Sequence, residues 1–188
     1  MNETLKVISR RRSIRSYQTE QIKDEELHEV LEAALLAPSA ANVQKWHFAV
    51  IQEKDLLDRM VIDIIEAVRN SGNKFLTDVV SRPDHHTFYH APTVVIISGD
   101  KSSPYSQNDC SAAAENILIA AESLNIGSCW IGTFLPLFAS EKGEEYKKKL
   151  VIPEDYYPVC AVALGYKAID NVPTPPRKKD VISFVKKG

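Results

Sequence analysis

The run Thr93-Val94-Val95-Ile96-Ile97, introduced by Pro92, constrains the fold more than any other stretch of this chain. Its side chains are all β-branched and none is charged, which predicts a strand buried on both faces. A sheet containing such a strand must be covered above and below. Tyr157 to Tyr166 is a second strand of this kind, Trp46 to Gln52 a third, and Ser128 to Gly132 a short extended stretch.

Helices to cover the sheet are legible between these runs. Leu5 to Arg10 shows a short apolar side. From Asp24, a capping residue followed by Glu25 and Glu26, the residues Leu27, Val30, Leu31, Ala34 and Leu35 recur at helical spacing until Pro38 stops the pattern. Lys54 to Arg69 is a longer amphipathic helix, ended at Asn70-Ser71-Gly72-Asn73. Asp109 opens a helix to Leu124 whose Ala112-Ala113-Ala114 lets another backbone come close. A charged helix is expected around Ala139 to Leu150. Residues 74 to 90 carry no decisive pattern, and Arg82-Pro83-Asp84-His85-His86 within them reads as an excursion rather than core. Helices interleaved with three or four strands give a mixed α/β architecture.

At 188 residues the chain reads as a single domain, with a lid or excursion around 66–90 and an extended tail from about 170. The tail carries Pro173, Pro175 and Pro176. An apolar fraction of 44% supports a sizeable core, and a net charge of −2 argues against general affinity for nucleic acid. Three scattered cysteines, Cys110, Cys129 and Cys160, form no CxxC, so neither a disulfide framework nor a zinc site is expected. His86 and His90 share a helical spacing with no acidic or cysteine partner at a recognised metal-ligand spacing, and read as lid or surface histidines rather than metal ligands. No signal pattern and no apolar run of membrane-spanning length is seen, so a cytoplasmic protein without a membrane partner is expected.

Two segments carry candidate chemistry. Arg10-Arg11-Arg12-Ser13-Ile14-Arg15 crowds four guanidinium groups and a hydroxyl into six residues of a net acidic chain. On a helix end Arg11, Arg12 and Arg15 would aim together and suit a phosphate; the same residues also suit a solvated basic helix end. Pro38-Ser39-Ala40-Ala41-Asn42-Val43-Gln44 offers small side chains against which a flat ring can lie, and an amide pair for its polar edge; it also suits an ordinary turn. Ile131-Gly132-Thr133 contains a glycine that can bring a backbone amide to a ligand, or simply bend a strand. Patterns such as GxSxG, GxGxxG, the P-loop and HExxH are absent.

Taken in order, Arg11-Arg12-Ser13-Ile14-Arg15, Ala37 to Trp46, Gly127 to Gly132 and Pro176-Arg177-Lys178-Lys179 resemble the motifs of the FMN-dependent nitroreductase family, over nearly the whole chain. The resemblance implies an α+β sandwich: a mostly antiparallel central sheet flanked by helices, in an intertwined homodimer with FMN at the subunit interface. It implies that Arg11, Arg12, Ser13 and Arg15 hold the phosphate and the polar edge of the flavin, with Arg177 and Lys179 returning from the tail. Pro38, Ser39, Ala40, Asn42 and Gln44 would approach the ring from the partner chain. Ile131, Gly132 and Thr133 would lie along it, the Gly132 amide facing flavin N5. Lys45 stands where relatives often carry proline, and Ala40 and Ala41 where hydroxyls are common.

The implied activity is ping-pong hydride transfer from NADH or NADPH through the flavin to a nitroaromatic, quinone or similar small-molecule acceptor. No side chain is required as a catalytic acid or base. The alternatives within this resemblance are reductive dehalogenation, flavin fragmentation, or FMN binding without turnover. A different class, a nucleic-acid adaptor using the arginine patch, is the reading the acidic balance speaks against.

Overall fold

The structure is a computed structural model that describes residues 1–170 and 172–186. In chain order the elements are α1 (Glu3–Arg10), α2 (Asp24–Leu35), β1 (Trp46–Ile51), α3 (Lys54–Asn70), α4 (Lys74–Val80), β2 (Thr93–Asp100), α5 (Ser106–Ser123), β3 (Ile126–Ile131), α6 (Leu135–Phe138), α7 (Gly143–Lys149) and β4 (Tyr156–Tyr166).

The β-branched run lies in β2, at the centre of a sheet ordered β1-β2-β4-β3. All three pairings are antiparallel, with Val95 opposite Val50 on one side and Val162 on the other. Alternation along β2 and β4 divides the core in two. Val94, Ile96, Ala161 and Ala163 face α3, α4, α6 and α7, while Val95, Ile97, Val162 and Leu164 face α2 and α5. An α+β sandwich with both sheet faces covered is therefore the observed fold.

Helix α5 is the centrepiece of the second layer. Cys110, Ala113, Ala114, Ile117 and Ala121 are fully buried, and the small side chains let α2 lie close enough for Asn116 Nδ2 to donate to the Ala33 carbonyl at 2.8 Å. The close approach expected at this alanine run is thus made within the chain. Glu26, in the first turn of α2, accepts from the Lys23 amide at 3.3 Å and the Tyr166 hydroxyl at 2.5 Å; Asp24 is the first helical residue and not the cap.

Residues 74 to 90 include α4, and Val80 and Phe88 are buried in the first layer, while Arg82, Pro83 and Asp84 between them are exposed. A fully buried phenylalanine anchors the segment, since its apolar surface stabilises the fold by about 1.5–3 kcal/mol on leaving water. The charged helix expected around 139 to 150 is the shorter α7, preceded by the separate turn of α6; Gly143 at its start packs against the Phe138 carbonyl with no room for a Cβ.

Candidate functional site

The chain leaves α1 at Arg11, whose φ of −49° and ψ of 130° are extended, so Arg11 to Arg15 are not a helix end. Residues 13 to 18 run as a strip along the sheet. The Ile14 amide donates to the Ser128 carbonyl and the Gln18 amide to that of Tyr166, both at 2.9 Å, and the Ala168 amide donates to Ser16. Gly127 makes this possible: a Cβ there would stand 2.9 Å from Ile14 Cγ2. Ile14 is buried beneath the strip.

Extended geometry, not helical spacing, is what groups the cations. Arg11, Ser13 and Arg15 alternate with Arg12 and Ile14, as period two requires. Ser13 lies opposite Ser128 on β3, next to Cys129: burial pushes the Cys129 thiol up, while Arg15, Ser13 and Arg11 are near enough to pull it the other way. Arg11 stands 3.8 Å from Glu115, a pair exposed enough to contribute little. Arg15 Nε donates to the Tyr89 hydroxyl. Arg12 turns back, its Nη1 donating to the carbonyls of Ser9 (2.9 Å) and Arg11 (2.6 Å) to cap α1. Its Nε is buried without a partner among the described residues. Arg10 is aimed at Glu122, a buried carboxylate also held by Lys167 at 2.9 Å.

A cluster of two guanidiniums and a hydroxyl, beside an unsatisfied buried N–H, fits an anion with several acceptor oxygens. At the far end of β3, Gly132 is exposed and Thr133 half-buried, while Ile131 is buried in the first layer. A Cβ at Gly132 would meet nothing within 4 Å, so the backbone there borders open space.

Pro38 to Gln44 forms an exposed loop with a short 3-10 turn over Ala40–Asn42. Ala41, Asn42 and Gln44 have φ values of 49°, 54° and 52°, three non-glycine residues in the left-handed region within four positions. Strain of this kind persists where surrounding structure over-determines it, and it concentrates at functional sites. The Ala40 amide is held by Asp109 Oδ1 at 3.0 Å, in the first turn of α5.

This loop and the arginine cluster do not meet within one chain. Arg11 and Arg10 approach α5 at Glu115 and Glu122, seven residues apart and hence on one face; Asp109 lies about 120° around the helix from Glu115. Arg177 and Lys179 do not join the cluster either. They lie on an exposed tail and make no hydrogen bond or ion pair among the described residues.

Tyr89, Cys129 and Asp109 are neighbours that the sequence did not disclose as part of the site. Elsewhere, Asp58 approaches His86 and His90, the three ligand atoms lying within 4.8 Å of one another. His86 is no surface histidine, its side chain being 9% exposed. Its Nδ1 accepts from the His90 amide at 3.1 Å and its Nε2 faces Asp58 Oδ1 at 3.4 Å, while Lys54 sits on the other Asp58 oxygen. Both ring nitrogens are thereby engaged, leaving no lone pair for an ion in this arrangement.

Comparison with known proteins places the chain among relatives. The sequence pattern of the Nitroreductase family matches residues 8–166. The chain belongs to that family. A crystal structure of a nitroreductase with bound FMN from Bacteroides fragilis superposes with a TM-score of 0.91 at 34% identity, covering 99% of this chain and 100% of its own. An Archaeoglobus fulgidus protein, provisionally named an NADH dehydrogenase/NAD(P)H nitroreductase, is 37% identical over 170 residues, 88% of this chain and 86% of its own length. The FMN reductase [NAD(P)H] of Bacillus subtilis is 25% identical over 191 residues, 97% of this chain and 73% of that protein. Among the described residues of this nitroreductase-family chain no helix is long and apolar enough to cross a membrane.

Proposed function

We propose that this chain is an FMN-dependent oxidoreductase that passes a hydride from NADH or NADPH to a nitroaromatic, quinone or similar small acceptor, the two substrates using the site in turn. The observation that carries the reading is the grouping of Arg11, Ser13 and Arg15 at the β3 edge, beside the orphaned Arg12 Nε, with open backbone at Gly132 just past the end of that strand. Relatives named for FMN and NAD(P)H chemistry support it.

Bound FMN would supply the two-electron chemistry itself. The chain supplies binding and polarity. Arg11, Ser13 and Arg12 hold the phosphate through charge-assisted hydrogen bonds. Arg15 adds a fixed positive charge toward the polar edge of the ring, where electron density grows on reduction. Ile131, Gly132 and Thr133 border the ring, and the absence of a side chain at Gly132 leaves its amide approachable.

The working unit in this reading is a homodimer in which Pro38, Ser39, Ala40, Asn42 and Gln44 of a second copy complete the site. Two observations support it: one chain turns the loop and the arginines to different faces of α5, and the tail exposes Val181, Ile182, Phe184 and Val185. Arg177 and Lys179 lie nine and eleven residues beyond Ala168, where the chain is last tied to the sheet, so they can reach about 30–40 Å, far enough to approach the phosphate site of a neighbouring copy.

The test is an anaerobic titration of FMN-loaded protein with NADH and then NADPH, followed at the flavin absorbance band, with acceptors added afterwards. Bleaching by a nicotinamide and recovery on adding a nitroaromatic or quinone is the expected result. Protein that takes up no FMN, or whose flavin neither nicotinamide bleaches, removes the reading.

A further inference from the structure

We propose that Asp109 is a positioning residue for the 38–44 loop: its buried carboxylate grips Ala40 by the amide and sets the strained turn in the shape that receives the flavin ring. The proposal rests on the reading that this loop meets FMN.

Asp109 is 5% exposed, a burial that an aspartate rarely tolerates without a task. Oδ1 accepts from the Ala40 amide at 3.0 Å, while Oδ2 is buried with no partner among the described residues. The Asp109 amide donates to the Tyr105 carbonyl at 2.9 Å, placing the side chain in the first turn of α5, where unpaired amides favour a negative group. One turn further, Ala113 and Ala114 are fully buried, so the carboxylate is mounted on a rigid support.

The loop has little else to define it. The Asn42 amide donates to the Ser39 carbonyl, the Val43 amide to the Ala40 carbonyl, the Gln44 amide to Ser39 Oγ and the Gln44 side chain to Asn42 Oδ1. Each of these bonds is internal. Among the described residues the bond from Ala40 to Asp109 is the one hydrogen bond that ties 39–44 to another element. Three left-handed residues without glycine relax readily once released, so losing the tie spreads the loop over many shapes, of which few suit the ring.

Two readouts test this on the full-length protein: hydrogen–deuterium exchange across 38–45 without FMN, and FMN affinity by fluorescence quenching. Asp109→Ala should speed exchange in the loop at least tenfold, leave α5 beyond its first turn unchanged, and weaken FMN binding at least tenfold. Asp109→Asn, which keeps the acceptor facing Ala40, should stay within about threefold of wild type in both. An Asp109→Ala protein that binds FMN like wild type overturns the proposal, as does an Asn variant as impaired as the Ala one. Should Asp109→Ala fail to fold, Ala40→Pro removes the donor instead. Weaker FMN binding by that variant supports the tie, and unchanged binding overturns it. Wild-type protein that takes up no FMN would take the functional reading down as well; in the other failures that reading stands.

Discussion

Arg15 lies with its guanidinium carbon 5.6 Å from the centre of the Tyr89 ring while its Nε donates to the Tyr89 hydroxyl at 3.3 Å. The pair joins residues 74 apart in sequence and ties the segment before β2 to the cationic strip. Exposed contacts of this type contribute about 0.5–1 kcal/mol. Tyr89→Phe should therefore weaken FMN binding only a few-fold, and Tyr89→Ala more, both read by fluorescence titration. A Tyr89→Ala protein of unchanged affinity means that Arg15 needs no such support.

Arg11 and Arg15 are expected to act on the ligand rather than on the fold. Each charge-assisted hydrogen bond to a phosphate or ring oxygen is worth about 1.5–3 kcal/mol, so Arg11→Ala and Arg15→Ala should each weaken FMN binding roughly ten- to a hundredfold. Thermal unfolding of the flavin-free proteins should barely move. Unchanged flavin content in the double variant would place the phosphate elsewhere.

At Gly132 the backbone is not left-handed and an added side chain meets open space. Gly132→Val should accordingly leave the melting temperature nearly unaltered, since exposed substitutions usually stay within about 0.5 kcal/mol. It should nonetheless slow reduction of the flavin or weaken its binding, as stopped-flow absorbance would report. Normal kinetics would remove Gly132 from the ring's surroundings.

Stability should fall on mild acidification. Burial, helped by the neighbouring charge of His90, holds His86 below the ordinary imidazole range against the pull of Asp58; burial lowers His85 and His47 too. A lowered folded-state value means that the unfolded chain takes up the proton more readily, so the contribution is full above about pH 6.5 and is lost as pH drops below it. Melting temperatures measured from pH 7.5 to 5 should decline, and His86→Gln should make the decline shallower. A variant with the same slope as wild type would show that His86 is not the group responsible.

The tail bears on assembly. Val181, Ile182 and Phe184 are 69%, 68% and 79% exposed in the single chain, an unusual use of large apolar residues unless a surface covers them. Removing residues 171–188 should shift the protein from dimer toward monomer in sedimentation experiments and reduce FMN affinity. A truncated protein that remains a tight FMN-binding dimer would confine the tail to a minor role.

Much of the architecture was legible because it is local. Five β-branched residues in a row could only be a buried strand, and Leu27, Val30, Leu31 and Ala34 could only be one face of a helix. The arginine segment was misread because its geometry is decided elsewhere: Gly127, far along the chain, leaves the space that lets Ile14 dock and pulls Arg11 to Arg15 straight. Phe88 was missed for a similar reason. Set among Asp84, His85, His86, Tyr89 and His90, it has no periodic pattern to announce its burial. Likewise Asp109 read only as a helix opener, since nothing near it in sequence points to Ala40.

Because the strip carrying Arg11, Ser13 and Arg15 is pinned to the sheet on both sides of Ile14, its reading frame matters as much as its composition. Inserting or deleting one residue there would exchange the teeth of the comb, turning isoleucine outward and a guanidinium into the core. The length of this segment is therefore constrained as tightly as the identity of its cations.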